Sequence, residues 1–262
     1  MYAHTRRVAA ALLALVLATP LSAPAMAGEG APVTFTLGLG GSLTPGYFGS
    51  DRYRLGPSGS FGIDEVRLPG GFGFGSPSTR PLEPGFGLRG AFRLVAARRA
   101  ADHPELAGLE KVGTALELGL GLGSVAEHWR VFAEVRHGVV GHRGWTGDIG
   151  ADAILRPSEQ VALTLGPRAA FGDARFQRTY FGVTGAESVA SGLAAFRPSG
   201  GLVSVGSELG LRVTLADGWG LDGALTYDRL RGDAARSPIV LQGSANQYGA
   251  RLVLTRRFSL GR

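Results

Sequence analysis

The chain has 262 residues, no cysteine, 43 glycines and a formal net charge of +6. The lack of cysteine excludes a disulfide-stapled secreted fold, thiol chemistry and Cys-ligated metals. Glycine makes up about 16% against a usual ~7%, without the G-X-Y period of collagen. Lys111 is the only lysine, and no basic run interleaves with aromatics, which argues against nucleic-acid binding.

The N-terminus places Arg6 and Arg7 before an apolar run from Val8 to Ala18, then Pro20, Pro24 and Ala25-Met26-Ala27. Charge, short apolar core and A-x-A in that order predict a secretory signal cut after Ala27. The run is shorter than the roughly 20 residues of a membrane-spanning helix, so any passage through a membrane falls to strands. Residues 28–262 are expected to form one domain.

Early segments 33–42, 54–62, 64–70 and 71–76 can each supply a strand, interrupted by Pro57, Pro69 and the PSTRPLEP stretch. Eight clearer strands follow, beginning with FGLRGAFRLV (86–95) and TALELGLGLG (114–123) and ending with YGARLVLTRRF (248–258). Each alternates with period two, the mark of a strand with one apolar face. One face carries Phe86, Leu94, Leu120, Val135, Ile149, Leu165, Leu209, Leu225 and Leu252. The other carries Arg89 and Arg93, Glu117, then Arg130, Glu134 and Arg136, then Asp148 and Asp152. It continues with Arg168, Glu208, Arg212, Asp222, Asp228, Arg251 and Arg257.

Alternation alone fits either a soluble sandwich or a transmembrane barrel. Segments of about ten residues match a tilted bilayer crossing. Trp129, Trp145, Trp219, Tyr248 and Phe258 stand at segment ends, as interfacial girdles require. Short connections alternate with long ones (98–111, 172–201, 231–246), as periplasmic turns alternate with outer loops. The fold class expected is therefore all-β: a transmembrane antiparallel up-and-down β-barrel of twelve strands, with ten as the alternative. Its charged face lines the lumen as ion pairs, with Arg212 facing Asp222 and Arg130 facing Asp152.

In the longest connection, Thr184 and Glu187 have capping-box spacing and Gly192 can terminate a short helix. Other motifs are weaker. Asp148 and Asp152 lie roughly 13 Å apart along a strand, beyond the ~5 to 10 Å of a glycosidase pair. His137 and His142 flank a loop near Asp148, a conceivable hydrolase base, but no G-x-S-x-G accompanies them. Their spacing also misses that of helical metal ligands, so no metal and no cofactor is expected. GLGLG (119–123) and GFGFG (71–75) lack the strand-to-helix setting of a phosphate loop and fit a glycine-rich barrel wall. Tyr47, Phe48, Tyr53, Tyr180 and Phe181 suit either a binding surface or packing against the barrel rim.

YFGVTGAESVASGLAAF (180–196), with Tyr180, Phe181, Gly182, Thr184, Glu187, Ser188, Ser191 and Gly192, resembles a segment of the MipA/OmpV family of outer-membrane proteins. YDRLRGDAARSPIV (227–240) and GLGGSLTPGYFGSDRYRLGP (38–57) are similar to other parts of the same family. The resemblance implies a barrel in the outer membrane of a Gram-negative cell, in contact with lipid and lipopolysaccharide. For the family's namesake it implies a scaffold joining a lytic transglycosylase to a murein synthase, a penicillin-binding protein. Other members are porin-like or adhesive, and no family catalytic residues carry over. Three functions follow as expectations: scaffold, small-solute channel with the 172–201 loop as constriction, and barrel-wall lipid hydrolase.

Overall fold

The computed structural model describes residues 33–67, 73–74 and 85–260. The expected signal (1–27) and most of 68–84, including PSTRPLEP, lie outside the described residues. Among those described, eleven antiparallel strands form one sheet. They are β1 (Val33–Pro45), β2 (Tyr53–Arg67), β3 (Gly73–Phe74), β4 (Gly85–Val95), β5 (Ala115–Val125) and β6 (Trp129–Val140), then β7 (Trp145–Leu155), β8 (Val161–Gly172), β9 (Gly201–Thr214), β10 (Trp219–Leu230) and β11 (Asn246–Leu260). Sequence neighbours pair throughout β4 to β11, and β11 pairs with β1, which pairs with β2. The sheet curls until β4 approaches β2, so that the up-and-down barrel comes round on itself.

Ten of these strands are long and β3 is a two-residue stub. The segments expected separately at 54–62 and 64–70 differ from this: residues 53–67 form one strand. The register against β1 steps from Ile63 opposite Phe35 to Glu65 opposite Thr34. The break expected between 54–62 and 64–70 is thus a β-bulge that skips Asp64 in the pairing with β1.

The alternation resolves into outside and inside. Leu94 is 58% exposed and Leu225 57%, whereas Glu117 is 0%, Arg136 4% and Asp152 4%. Apolar side chains face outward around the barrel while carboxylates and guanidinium groups are buried within, the arrangement that lipid rather than water selects. Trp129, Trp219 and Phe258 ring the end carrying the short turns 126–128, 156–160 and 215–218. Trp145 and Tyr248 ring the end carrying the long loops, and Tyr248 stacks with Tyr227 at 5.2 Å. Short turns face the periplasm and long loops the exterior.

The glycine content follows from the narrow interior. Gly119, on the inward face of β5, has Arg136 as its cross-strand partner. A Cβ there would lie 1.9 Å from the Val135 carbonyl oxygen. At Gly166 the same atom would lie 1.6 Å from the Ala151 carbonyl oxygen. Any larger residue at either site would push neighbouring strands apart. GLGLG is therefore barrel wall; of GFGFG, only residues 73–74 are described.

Candidate functional site

The lumen holds a network of ion pairs, with Glu117 as its hub at the outer end. Its carboxylate accepts from Arg93 Nη2 at 2.8 Å, Arg136 Nε at 3.0 Å and Thr146 Oγ1 at 2.8 Å, and lies 3.1 Å from His142 Nε2. Arg136 also reaches Glu134 at 2.9 Å and bonds Asp148. Nearer the periplasm, Asp152 is held by Arg130 at 2.5 Å and Arg168 at 2.9 Å, and Arg168 continues to Glu208 at 3.1 Å. The Phe132 ring lies between those two guanidinium groups, 5.5 Å from Arg130 and 5.1 Å from Arg168. Arg212 meets Asp222 at 3.0 Å as direct cross-strand partners.

The remaining positions differ. Among the described residues, Asp228 takes only a 3.3 Å hydrogen bond from Ser204. Arg251 faces the lumen and is exposed, and Arg257 is half-buried on the same face. The Arg89 side chain lies outside the described residues. His142 lies in the turn between β6 and β7, directly after Gly141 at φ 86, and is buried in the hub. His137 points outward against Trp145, the ring centroids 4.7 Å apart and the planes tilted by 56°.

Above this network the outer loops interlock. α1 (Ala174–Phe181) was not foreseen beside the expected helix, α2 (Gly185–Ser191). Asp173 caps α1 by accepting from the Phe176 N–H at 2.7 Å. Phe176, Tyr180 and Phe181 on its inner face pack with Val203, Leu230, Val240 and Ala234, the last from α3 (Gly232–Arg236). Val203 reaches this cluster because a bulge skips it in the pairing of Ala170 with Ser204 and Phe171 with Leu202. Phe48 closes on Phe176, Tyr180 and Phe181 at 5.1 to 5.9 Å. A second cluster joins Tyr47, Leu106, Leu109, Val183 and Ile239 from four loops. Tyr47, Phe48, Tyr180 and Phe181 are thus packing residues of the cap; Tyr53 is partly exposed at the rim.

Polar bonds stitch the cap together. Arg98 Nη1 donates to the Tyr180 carbonyl at 2.9 Å, and Ser237 Oγ donates to the Phe181 carbonyl at 2.7 Å. Burial pulls the Arg98 guanidinium below its usual value, against the opposing pull of Glu187. Burial likewise pushes the Tyr180 phenol up to about 12.

α2 contributes no buried residue. It has the expected capping box, with Glu187 N–H donating to Thr184 Oγ1 at 3.2 Å and Thr184 N–H donating to Glu187 at 2.9 Å, and Gly192 closes it at φ 75. Ser188 Oγ and Ser191 Oγ bind backbone carbonyls, and Gly182 caps α1. Burial opposes the Glu187 charge, but backbone bonds from Thr184 and Glu110 outweigh it and hold the carboxyl below the usual range. The helix that occupies the mouth is therefore α1. Its signal was the i, i+1, i+4, i+5 spacing of Phe176, Gln177, Tyr180 and Phe181 behind an aspartate cap.

The family described as MltA-interacting protein MipA matches residues 37–258. The chain belongs to this family. Like the family, it is an outer-membrane β-barrel. Similar solved structures include the translocator domain of autotransporter NalP from Neisseria meningitidis, at 14% identity, TM-score 0.42, covering 98% of this chain and 99% of that one. The outer membrane protein OprG from Pseudomonas aeruginosa is similar at 10% identity and TM-score 0.31, covering 88% and 98%. Ail, the attachment invasion locus protein of Yersinia pestis, is similar at 12% and 0.28, covering 87% and 99%. No curated protein sequence matches the chain significantly. Among the described residues of this MipA-family barrel, no three His, Asp or Glu side chains cluster to hold a metal ion.

Proposed function

We propose that this MipA-family barrel is a non-enzymatic, non-conducting scaffold whose periplasmic turns engage a lytic transglycosylase and, beside it, a penicillin-binding murein synthase. The observation that supports the reading is the loop cap: the inner face of α1 packs in a buried cluster drawn from several outer loops, and its Phe176 meets His142 of the buried ion-pair network. A pore needs a continuous wet path, and an apolar cap over a self-neutralised lumen leaves the periplasmic end as the working face. The family's description as MltA-interacting supports the choice of partner.

The exposed turns each offer a carboxylate, Glu127, Glu159 and Asp217. Such turns suit a small, transient contact rather than a large apolar interface. Against the hydrolase alternative, His142 is buried, with Nδ1 accepting from the Gly144 N–H and Nε2 facing Glu117, and His137 points outward against Trp145.

The test is binding of the full-length barrel in lipid nanodiscs to a purified periplasmic lytic transglycosylase. Saturable binding that is lost when 157–160 and 216–218 are replaced by Gly/Ser of equal length is expected. No binding at the highest attainable concentration would overturn the scaffold.

A further inference from the structure

Arg93, Arg130, Arg136, Arg168 and Arg212 in the lumen are matched to carboxylates; a pair on the outer rim is not. Arg143, in the turn between β6 and β7, and Arg175, in the first turn of α1, are both exposed, and among the described residues neither makes an ion pair. They are held together. Arg175 Nη1 donates to the Arg143 carbonyl at 3.5 Å, and the same oxygen lies 3.1 Å from His137 Nε2. The carboxylate on the adjoining loop, Asp173, is occupied in capping α1. Arg143 sits at φ 54, a left-handed conformation rarely adopted by a long side chain, so the turn displays a cation where glycine or asparagine would be more at ease.

The surface beneath these cations faces lipid. His137 and Trp145 lie in tilted ring contact on the outward faces of β6 and β7, with Trp145 54% exposed. Val135, Ile149 and Phe171 continue the apolar wall below them. An aromatic girdle marks headgroup depth, so the two guanidinium groups lie at or just above the headgroups of the outer leaflet. A guanidinium fork matches phosphate geometry in a way that neither a sugar hydroxyl nor an acyl chain does.

We propose that Arg143 and Arg175, above the His137–Trp145 ring pair, form a binding site for a phosphorylated glycolipid of the outer leaflet, the lipid A part of lipopolysaccharide. Its phosphate bridges the guanidinium groups and its acyl chains lie along the wall below. The site depends on the barrel's place in the outer membrane and not on what the periplasmic turns bind.

The test is native mass spectrometry of the folded full chain in detergent with diphosphoryl lipid A, dephosphorylated lipid A of the same chains, and inorganic phosphate as competitor. Wild type retains diphosphoryl lipid A, and the Arg143→Gln/Arg175→Gln variant binds it about tenfold more weakly, as loss of two charge-assisted contacts predicts. Arg256→Gln, which removes an exposed arginine stacked 4.8 Å over Trp219 at the periplasmic end, leaves binding unchanged. Millimolar phosphate fails to displace the lipid. If the double variant does not fold, Arg175→Gln alone, at an exposed helix position, shows a loss of about threefold. Equal retention by the arginine variant, or equal retention of dephosphorylated lipid A, overturns the proposal. Displacement by millimolar phosphate also overturns it, reducing the site to one for the free anion.

Discussion

Glu117 and His142, 25 residues apart in sequence, meet at 3.1 Å with neither side chain touching solvent. The Gly144 N–H donates to His142 Nδ1 at 3.0 Å, which places the neutral imidazole's proton on Nε2, directed at the carboxylate. The other side of that ring meets the edges of Phe176 and Tyr180 at 5.2 and 5.6 Å. One residue therefore joins the charged lumen to the apolar cap.

Removing the hub strands its partners. Glu117→Ala leaves Arg93 with no ion-pair partner among the described residues and buried Arg136 short of one, and should cost about 3 to 5 kcal/mol, the usual penalty for orphaning a buried charge. Urea unfolding of the refolded barrel, followed by its heat-modifiable gel shift, measures this. Val189→Ser, on the open face of α2 at 91% exposure, should stay within about 0.5 kcal/mol of wild type.

The two loop helices should respond differently. Thr184→Ala removes the cap of an exposed helix and should weaken α2 by about 1 kcal/mol, raising amide exchange at 185–191 with no effect on global unfolding. Phe176→Ala empties the centre of the cap and should cost about 3 to 5 kcal/mol, raising exchange through 174–181 and in the neighbouring loops.

Tyr180 carries a hydroxyl that is buried without a hydrogen-bond partner among the described residues. Tyr180→Phe should therefore be neutral or stabilising by about 1 kcal/mol. Burial raises the folded-state phenol from about 10 to about 12. A raised value means that the folded cap favours the neutral form. Cap stability is then unaffected below pH 10 and falls as pH climbs from about 10 to about 12. A phenolate titration of wild type minus Tyr180→Phe should show this residue ionising only near the top of that range.

The strands from 86 onward were legible because a barrel imposes period two on each of them. The Arg212–Asp222 and Arg130–Asp152 pairs followed from that period and the turn positions. The bulge at Asp64 was not legible, because a skipped residue shows only once the pairing with β1 is seen to continue past it. The cap was missed for a different reason. Its core is assembled from separate loops, and no local pattern brings Phe48 to Tyr180 or Arg98 to the Tyr180 carbonyl. The capping box of α2 was the strongest local signal in its loop, yet the helix across the mouth is the less conspicuous α1.

The sealed mouth is tested most directly by single-channel recording of the refolded wild type in a planar bilayer, beside a variant carrying Phe176→Ala, Tyr180→Ala and Phe181→Ala. The wild type should be silent, and the variant, checked as a folded barrel, should show discrete openings once the cap loosens. Steady conductance by the wild type, unchanged in the variant, would contradict the account and make the lumen a solute path.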